Sequence, residues 1–414
     1  MMPSRFVPPS IRLADHTYVL PPERIAAHPL PQRDESKLLV YNAATQLIDH
    51  RVFRDLPTLL PERSLLVVNR TRVIAARIHL VKPTGGVVEL LLTDPLRPLR
   101  DPAVVLASHE PSVWRGLIGG RNVHPGMVLT EPQSDLRVMV VERHGTEASV
   151  ELKWDRDISL SQVLSNVGHL PLPPYLHREA DEEDATRYQT VYAVEEGSVA
   201  APTAGLHFTE NVLSALEQRG IDRVDCTLHV GLGTFRPVEA EKIEDHVMHA
   251  ERFGVTRVAL EHMHQHLLQD QSWVTVVGTT SLRTMESVYA FGAKILRDGI
   301  DAHPTADVDQ WDAFDVSLNG FSRSDVIASV LSWLDSHGVD EVWGETQLMI
   351  APGCRIAMAD ALVTNFHQPG NTLLLLVAGF CGGDRWRDVY EAALKNDYRF
   401  LSYGDSSLLI RGTW

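Results

Sequence analysis

Cysteine is scarce in this chain: Cys226, Cys354 and Cys381 are the only three in 414 residues. They are too few and too widely spaced for a disulfide framework or a CxxC zinc site, and they fit a reducing compartment in which thiols act as small buried hydrophobes. Long apolar runs are missing too. The longest, Leu373–Cys381, falls well short of the roughly 20 residues that span a bilayer. At the N-terminus Arg5, Arg12, Asp15 and His16 interrupt the apolar residues, so no uninterrupted hydrophobic stretch precedes a secretory cleavage site. A cytoplasmic protein with no membrane partner is the expectation. No period of about 20 to 50 residues recurs, which argues against a solenoid. Positive charge is also in deficit, 38 Lys and Arg against 54 Asp and Glu, for a net charge of −16. That excludes coating nucleic acid by general electrostatics, so an RNA partner requires a locally built basic patch.

The composition is globular, with 44% hydrophobic and 22% charged residues, and the length suits two folded units. From Ser64 to about Leu152 the sequence reads as short β-rich runs: Leu65–Val68, Val73–Leu80, Val87–Leu92, Val104–Leu106, Met127–Leu129, Arg137–Val141 and Ala148–Leu152. Turn signals such as Gly85-Gly86, Gly119-Gly120 and Pro125-Gly126 separate them, which predicts a small barrel. Pro-rich Leu170–Tyr175 and acidic Glu179–Asp184 read as a hinge back into another unit. After Tyr188 helices and strands alternate, the signature of an α/β layer architecture. Thr209 caps a helix with Val212, Leu213 and Leu216 on one face and Gly220 at its end. Val224, Cys226, Leu228 and Val230 then alternate with Asp225, Thr227 and His229 as a strand. Trp273–Val277 and Ala361–Phe366 are further strands, the first running into a helical stretch through Glu286. Ser324–His337 and Arg385–Lys395 read as helices.

Five clusters carry candidate chemistry, most of them at strand ends, where open α/β sheets bind ligands. In Gly197–Thr209 small residues admit a ligand close to backbone amides, with Thr203 and His207 offering a hydroxyl and a titratable group. A capped turn explains the same residues without a ligand. His229–Val238 contains Gly231-Leu232-Gly233, but Pro237 and the missing third glycine exclude a Rossmann site, leaving a loop that presents Arg236 to an anion. In His246–Glu251 the two histidines, His246 and His249, would share one face of a helix, and acid–base or structural work outweighs metal binding because no third ligand lies nearby. Gly278–Arg283 offers hydroxyls and free amides at a helix start, or simply an N-cap. Thr364–Pro369, joined by Tyr398–Asp405, sets Asn365 beside Phe366 and Tyr403, fit to read and stack on a base or to fill a core. Separately, Arg70, Arg72, Arg77, His79 and Lys82 concentrate positive charge in Arg70–Lys82, as an RNA contact or a solvated strand face.

Together these clusters resemble the QueA family, the S-adenosylmethionine:tRNA ribosyltransferase-isomerases of queuosine biosynthesis. The matching segments, in family order, are Arg33-Asp34, Val68-Asn69, Gly168–Tyr175, Arg187–Ala193, Gly197–Thr209, Leu228–Val238, His246–Glu251, Val277–Ser287, Thr364–His367 and Tyr398–Asp405. The resemblance implies an α/β main domain of residues 1–68 and 176–414 with an inserted β-barrel of 69–175. It implies S-adenosylmethionine as co-substrate without a metal, the tRNA anticodon stem-loop as partner, and a monomer. The ribosyl group would pass to 7-aminomethyl-7-deazaguanine at the wobble position and isomerise to epoxyqueuosine, with adenine and methionine leaving. His207, His246, His249 and Glu251 would handle protons. Thr203, Tyr188, Arg236, Thr279, Thr280, Arg283, Asn365, His367 and Asp405 would bind substrate, and Arg70, Arg72 and Arg77 would contact RNA. Two departures stand out. Asn69-Arg70-Thr71 replaces the family's Asn-Asp-Thr, and Gln368-Pro369-Gly370-Asn371 replaces Leu-Pro-Lys-Ser. A relative acting on a different acceptor is the alternative they leave open. Residues 301–341 are also longer than the family pattern.

Overall fold

The computed structural model describes residues 9–155, 157–231 and 240–412. A nine-stranded mixed sheet forms the body, in the spatial order Glu341–Thr346, Glu251–Thr256, Asp222–Leu228, Leu65–Asn69, Val274–Val277, Ala361–Asn365, Ser406–Ile410, Lys37–Asn42 and Leu47–Val52. The central four, Asp222–Leu228 through Ala361–Asn365, run parallel. Parallel strands are stable when both faces are covered, and Leu65–Asn69 is buried at every position. Leu65 and Val67 pack into one apolar cluster and Leu66 and Val68 into another on the opposite face, as strand alternation requires. The helix Gly278–Asp298 lies against the first face and is covered in turn by the helix Arg323–His337. Gly292 lets the two helices close in, because a Cβ there would stand 2.6 Å from the Val326 carbonyl oxygen. The helix Glu210–Gln218 packs on the second face, with Thr209 accepting from the Val212 amide at its start.

The other unit is an antiparallel barrel of Arg77–Val81, Val87–Arg97, Ser112–Ile118, Glu147–Lys153, Arg137–His144 and Val128–Thr130, closed by pairing of Val81 with Thr130. Its interior is its own apolar cluster around Trp114, Leu90 and Val138. The α/β body with a small barrel therefore agrees with the sequence reading.

Several local expectations differ from the structure. Val104–Leu106 is not a strand but lies in the helix Pro102–Ala107, where the Asp101 carboxylate accepts from the Val104 amide and Pro102 suits the first turn; the cap outweighs the β preference of paired valines. Val73–Leu80 is two strands: Thr71–Val73 pairs in parallel with Glu195–Ser198, a tight bend from Ile74 to Ala76 follows, and Arg77–Val81 enters the barrel. His246–Glu251 is not helical. After a short turn at Ile243–Asp245 the chain is irregular, and Glu251 begins a strand. The helix from Gly278 runs past Glu286 to Asp298.

Candidate active site

The parallel strands end at Leu228, Asn69, Val277 and Asn365, and the residues beyond these ends form the motifs. Asn69 ties two of the ends together: its Nδ2 donates to the Leu228 carbonyl at 3.1 Å and its Oδ1 accepts from the amides of Leu228 and Thr71 at 3.2 Å. Above the ends of Val274–Val277 and Ala361–Asn365 lies a cleft of about 650 Å³. The loop Ala200–Ala204 walls one side, Gly278–Thr280 another, and Asn365, His367 and Ser402 a third. Gly278 makes the strand-to-helix turn with φ +87°, a conformation costly for other residues. The turn aims the positive end of a 21-residue helix at the cleft.

Two buried polar atoms among the cleft residues have no partner among the described residues: Asn365 Oδ1 and Thr280 Oγ1. An unsatisfied buried polar atom costs about 1–3 kcal/mol, so both are poised for a ligand. Asn365 is oriented by donation from its Nδ2 to the Leu401 carbonyl at 3.2 Å, with His207 Nε2 also at 3.2 Å. His367 is tied to Thr364 Oγ1 at 3.0 Å through Nε2, and burial pushes it down to about 4, leaving it neutral. Thr203 and Thr279 line the same cleft. Asn371 caps the helix Thr372–Cys381, accepting from the Leu374 amide at 2.9 Å, while Gly370 beside it takes φ +66°.

A second, wider cleft of about 1860 Å³ meets the first at Leu373 and opens toward the barrel. His246, His249, Glu251 and Arg283 line it together with the barrel turn His144–Glu147. The sequence clusters at 246–251 and 278–283 thus converge, although not through a helical histidine face. Arg283 donates from Nη1 to Glu251 Oε2, and Glu251 Oε1 accepts from the Gly231 amide at 3.3 Å. The Nε and Nη2 of Arg283 are buried and have no partner among the described residues. Burial, and then His249, lowers the pKa of His246. The irregular segment carrying both histidines is held by residues no motif indicated. Gln310 donates to the His246 carbonyl at 2.6 Å and accepts from the Met248 amide at 3.0 Å, and Gln347 donates to the Met248 carbonyl at 2.9 Å. Gln310 belongs to the 301–341 segment, which gives that segment a place in the site.

The remaining candidates fall elsewhere. His207 lies behind the first cleft, its Nδ1 2.8 Å from Ser36 Oγ, and burial followed by the charges of Arg399 and Arg33 pushes it down to about 3. It is neutral and positions Asn365. Tyr188 is fully buried in a small apolar cluster with Leu206 and Tyr403. Asp405 accepts from the amides of Lys37 at 3.1 Å and Arg399 at 2.8 Å, and so holds a turn. Arg70 faces Glu195 at 3.6 Å and Glu341 at 3.9 Å; Arg77 faces Glu89 at 3.7 Å; Arg72 is exposed. Arg236 lies outside the described residues. Among the described residues no group of three His, Cys, Asp or Glu is placed to hold a metal ion, and no helix is long and apolar enough to cross a membrane.

A family model for queuosine biosynthesis proteins matches residues 13–409. The sequence is 37% identical over 402 residues to the S-adenosylmethionine:tRNA ribosyltransferase-isomerase of Nitrosospira multiformis, covering 97% of this chain and 99% of that relative. It is also similar to the crystal structure of the S-adenosylmethionine tRNA ribosyltransferase of Thermotoga maritima, at 26% identity and a TM-score of 0.46, over 96% of this chain and 100% of that one.

Proposed function

This chain belongs to the queuosine biosynthesis protein family, and from that premise we propose that it is an S-adenosylmethionine:tRNA ribosyltransferase-isomerase. It moves the ribosyl group of S-adenosylmethionine onto 7-aminomethyl-7-deazaguanine at the tRNA wobble position, forming epoxyqueuosine and releasing adenine and methionine. The observation that carries the reading at residue level is the paired cleft, one part with unpartnered Asn365 Oδ1 and Thr280 Oγ1, the other with Arg283 and its unpaired donors beside Glu251.

The chemistry assigns work to each part. Adenine offers an exocyclic amino group to Asn365 Oδ1, and Thr203, Thr279 and Thr280 serve the ribose in the narrower cleft. The methionine carboxylate suits the fork of Arg283, whose spare donors match two oxygens. A base is then needed next to the sulfonium and an acid for departing adenine. His246, His249 and Glu251 line the wider cleft where the acceptor nucleotide enters, and a histidine suits both directions of transfer near neutral pH. The reading uses a body of residues 1–68 and 176–414 and a barrel of 69–175, needs no metal, and places the enzyme in the cytoplasm. It also has the enzyme act as a monomer.

The test is turnover. The protein is incubated with S-adenosylmethionine and tRNA carrying the deazaguanine precursor, while adenine and the modified nucleoside are followed together. Stoichiometric appearance of both is expected. Adenine without modified tRNA points to another acceptor, and neither product overturns the reading.

A further inference from the structure

The net charge of −16 leaves open how the protein holds a polyanion, because Arg70 and Arg77 on the barrel side already face carboxylates. A different concentration of positive charge lies on the body. A small open pocket is bounded by Arg33, Arg187 and Arg399 with Ser36, His207 and Ser402, and among the described residues no carboxylate lines it. Arg33 and Arg187 lock two segments reciprocally: Arg33 donates to the carbonyls of Gln189 and Thr186 at 2.6 and 2.7 Å, and Arg187 to those of Pro31 and Leu30. Carbonyls satisfy donors but do not cancel charge, and among the described residues neither arginine forms an ion pair. Arg187 Nε is also buried without a partner. Only Arg399 has a carboxylate, Asp405 at 3.2 Å, which also serves two backbone amides. The local excess is felt by neighbours: Arg187 adds to burial in lowering the pKa of Arg33, and Arg399 adds to burial in lowering that of His207.

The Nη donors of Arg33 and Arg187 are spent on carbonyls, so the three guanidinium groups around this small polar pocket attract an anion through their summed charge. Ser402 lines both this cavity and the narrower cleft, so an anion seated here lies immediately beside the reacting site. We propose that the Arg33–Arg187–Arg399 pocket seats a backbone phosphodiester of the tRNA substrate next to the nucleotide being modified. The inference rests on the tRNA reading above. A phosphodiester is favoured over the carboxylate of S-adenosylmethionine because Arg283 already has unpaired donors in the wider cleft. The pocket positions the substrate and takes no part in bond making.

Arg399→Gln removes one charge while Arg33 and Arg187 keep their carbonyl locks. Expected are a KM for tRNA raised about tenfold, an unchanged Kd for S-adenosylmethionine, and a slope of log binding against log salt shallower by about 0.7 to 1. Arg399→Lys should restore most of the salt slope. In a second arm, neutral methylphosphonate linkages are placed one at a time in an anticodon stem-loop: one linkage should weaken binding to the wild-type protein and have no effect with Arg399→Gln. That arm also works with the wild-type protein alone if the variant fails to fold. Weaker S-adenosylmethionine binding with intact tRNA binding would assign the pocket to the carboxylate and overturn the proposal. So would a wild-type protein that binds tRNA but ignores every neutral linkage. A wild-type protein that binds no tRNA would instead overturn the tRNA reading itself.

Discussion

His207, His229 and His367 are held neutral by burial, at about 3, 4 and 4. The value for an unfolded histidine is about 6.5, so below that pH the unfolded chain takes up protons that the folded one refuses. Their contribution is therefore complete above about pH 6.5 and drains away as pH falls toward 3 to 4. For His207 the loss between pH 7 and pH 5 is on the order of 2 kcal/mol. Urea unfolding at the two pH values should show the drop, and His207→Gln should flatten it by about that amount; an equally steep variant would mean that His207 is not the buried neutral group described. Arg283 supports a separate prediction. Arg283→Gln removes the substrate fork and the buried ion pair with Glu251, and should lower stability. Arg283→Lys keeps the charge but loses the fork, and should weaken S-adenosylmethionine binding about tenfold or more in calorimetry with a smaller stability loss. Wild-type affinity in the lysine variant would remove Arg283 from the carboxylate site.

At the scale of elements, the sequence motifs Gly197–Thr209 and Arg187–Ala193 are opposite sides of one contact. A Cβ at Gly205 would stand 2.2 Å from the Tyr192 hydroxyl and 2.7 Å from Thr190 Cγ2, so the loop 197–209 can close over 187–193 only with glycine there. Gly205→Ala is expected to cost about 1–3 kcal/mol by overpacking and to weaken S-adenosylmethionine binding as the loop lifts. Adding Tyr192→Phe removes the nearest clashing atom and should recover part of both losses. If thermal melts and binding show no recovery, the contact is not the reason for the glycine. Elements bounded by local chemistry were legible in the sequence: Thr209 and Gly220 bracket Glu210–Gln218, and Arg385–Lys395 emerges with the expected ends. The i, i+3 spacing of His246 and His249 misleads because it has meaning only within a helix, and that segment is held in irregular form by Gln310 and Gln347, which lie far off in sequence. Val104–Leu106 misleads for the opposite reason, a local cap at Asp101 that overrides apolar patterning. The edge strand Glu341–Thr346 is defined by pairing with Glu251–Thr256, far off in sequence, which the sequence does not display.

Across the whole molecule, the barrel contributes to the wider cleft through the turn His144–Glu147 and the neighbouring Leu117. His144–Glu147 faces Asp245–His249 across the wider cleft, while the narrower cleft is lined by body residues and by Tyr175. The sequence placed a barrel and a body but could not show that they share a wall, since the facing residues lie about a hundred positions apart and carry no common motif. On the proposed reading the adenosine part of S-adenosylmethionine fills the narrower cleft, while its carboxylate at Arg283 reaches the wider one, where the acceptor enters. S-adenosylmethionine alone should slow amide exchange at Ala200–Ala204 and Gly278–Thr280, because a ligand there shields the loop and satisfies the helix start. Adding tRNA should then slow exchange at His144–Glu147 and Asp245–His249 together, with protection also near Arg399 if a phosphodiester occupies its pocket. Hydrogen-exchange mass spectrometry with each substrate alone and with both distinguishes these patterns. Protection confined to the barrel strand Arg77–Val81 on adding tRNA would mean that RNA binds through the charged strand instead. The wider cleft would then lose its role as the acceptor site, because a nucleotide reacting beside Glu251 cannot leave the turn opposite it untouched.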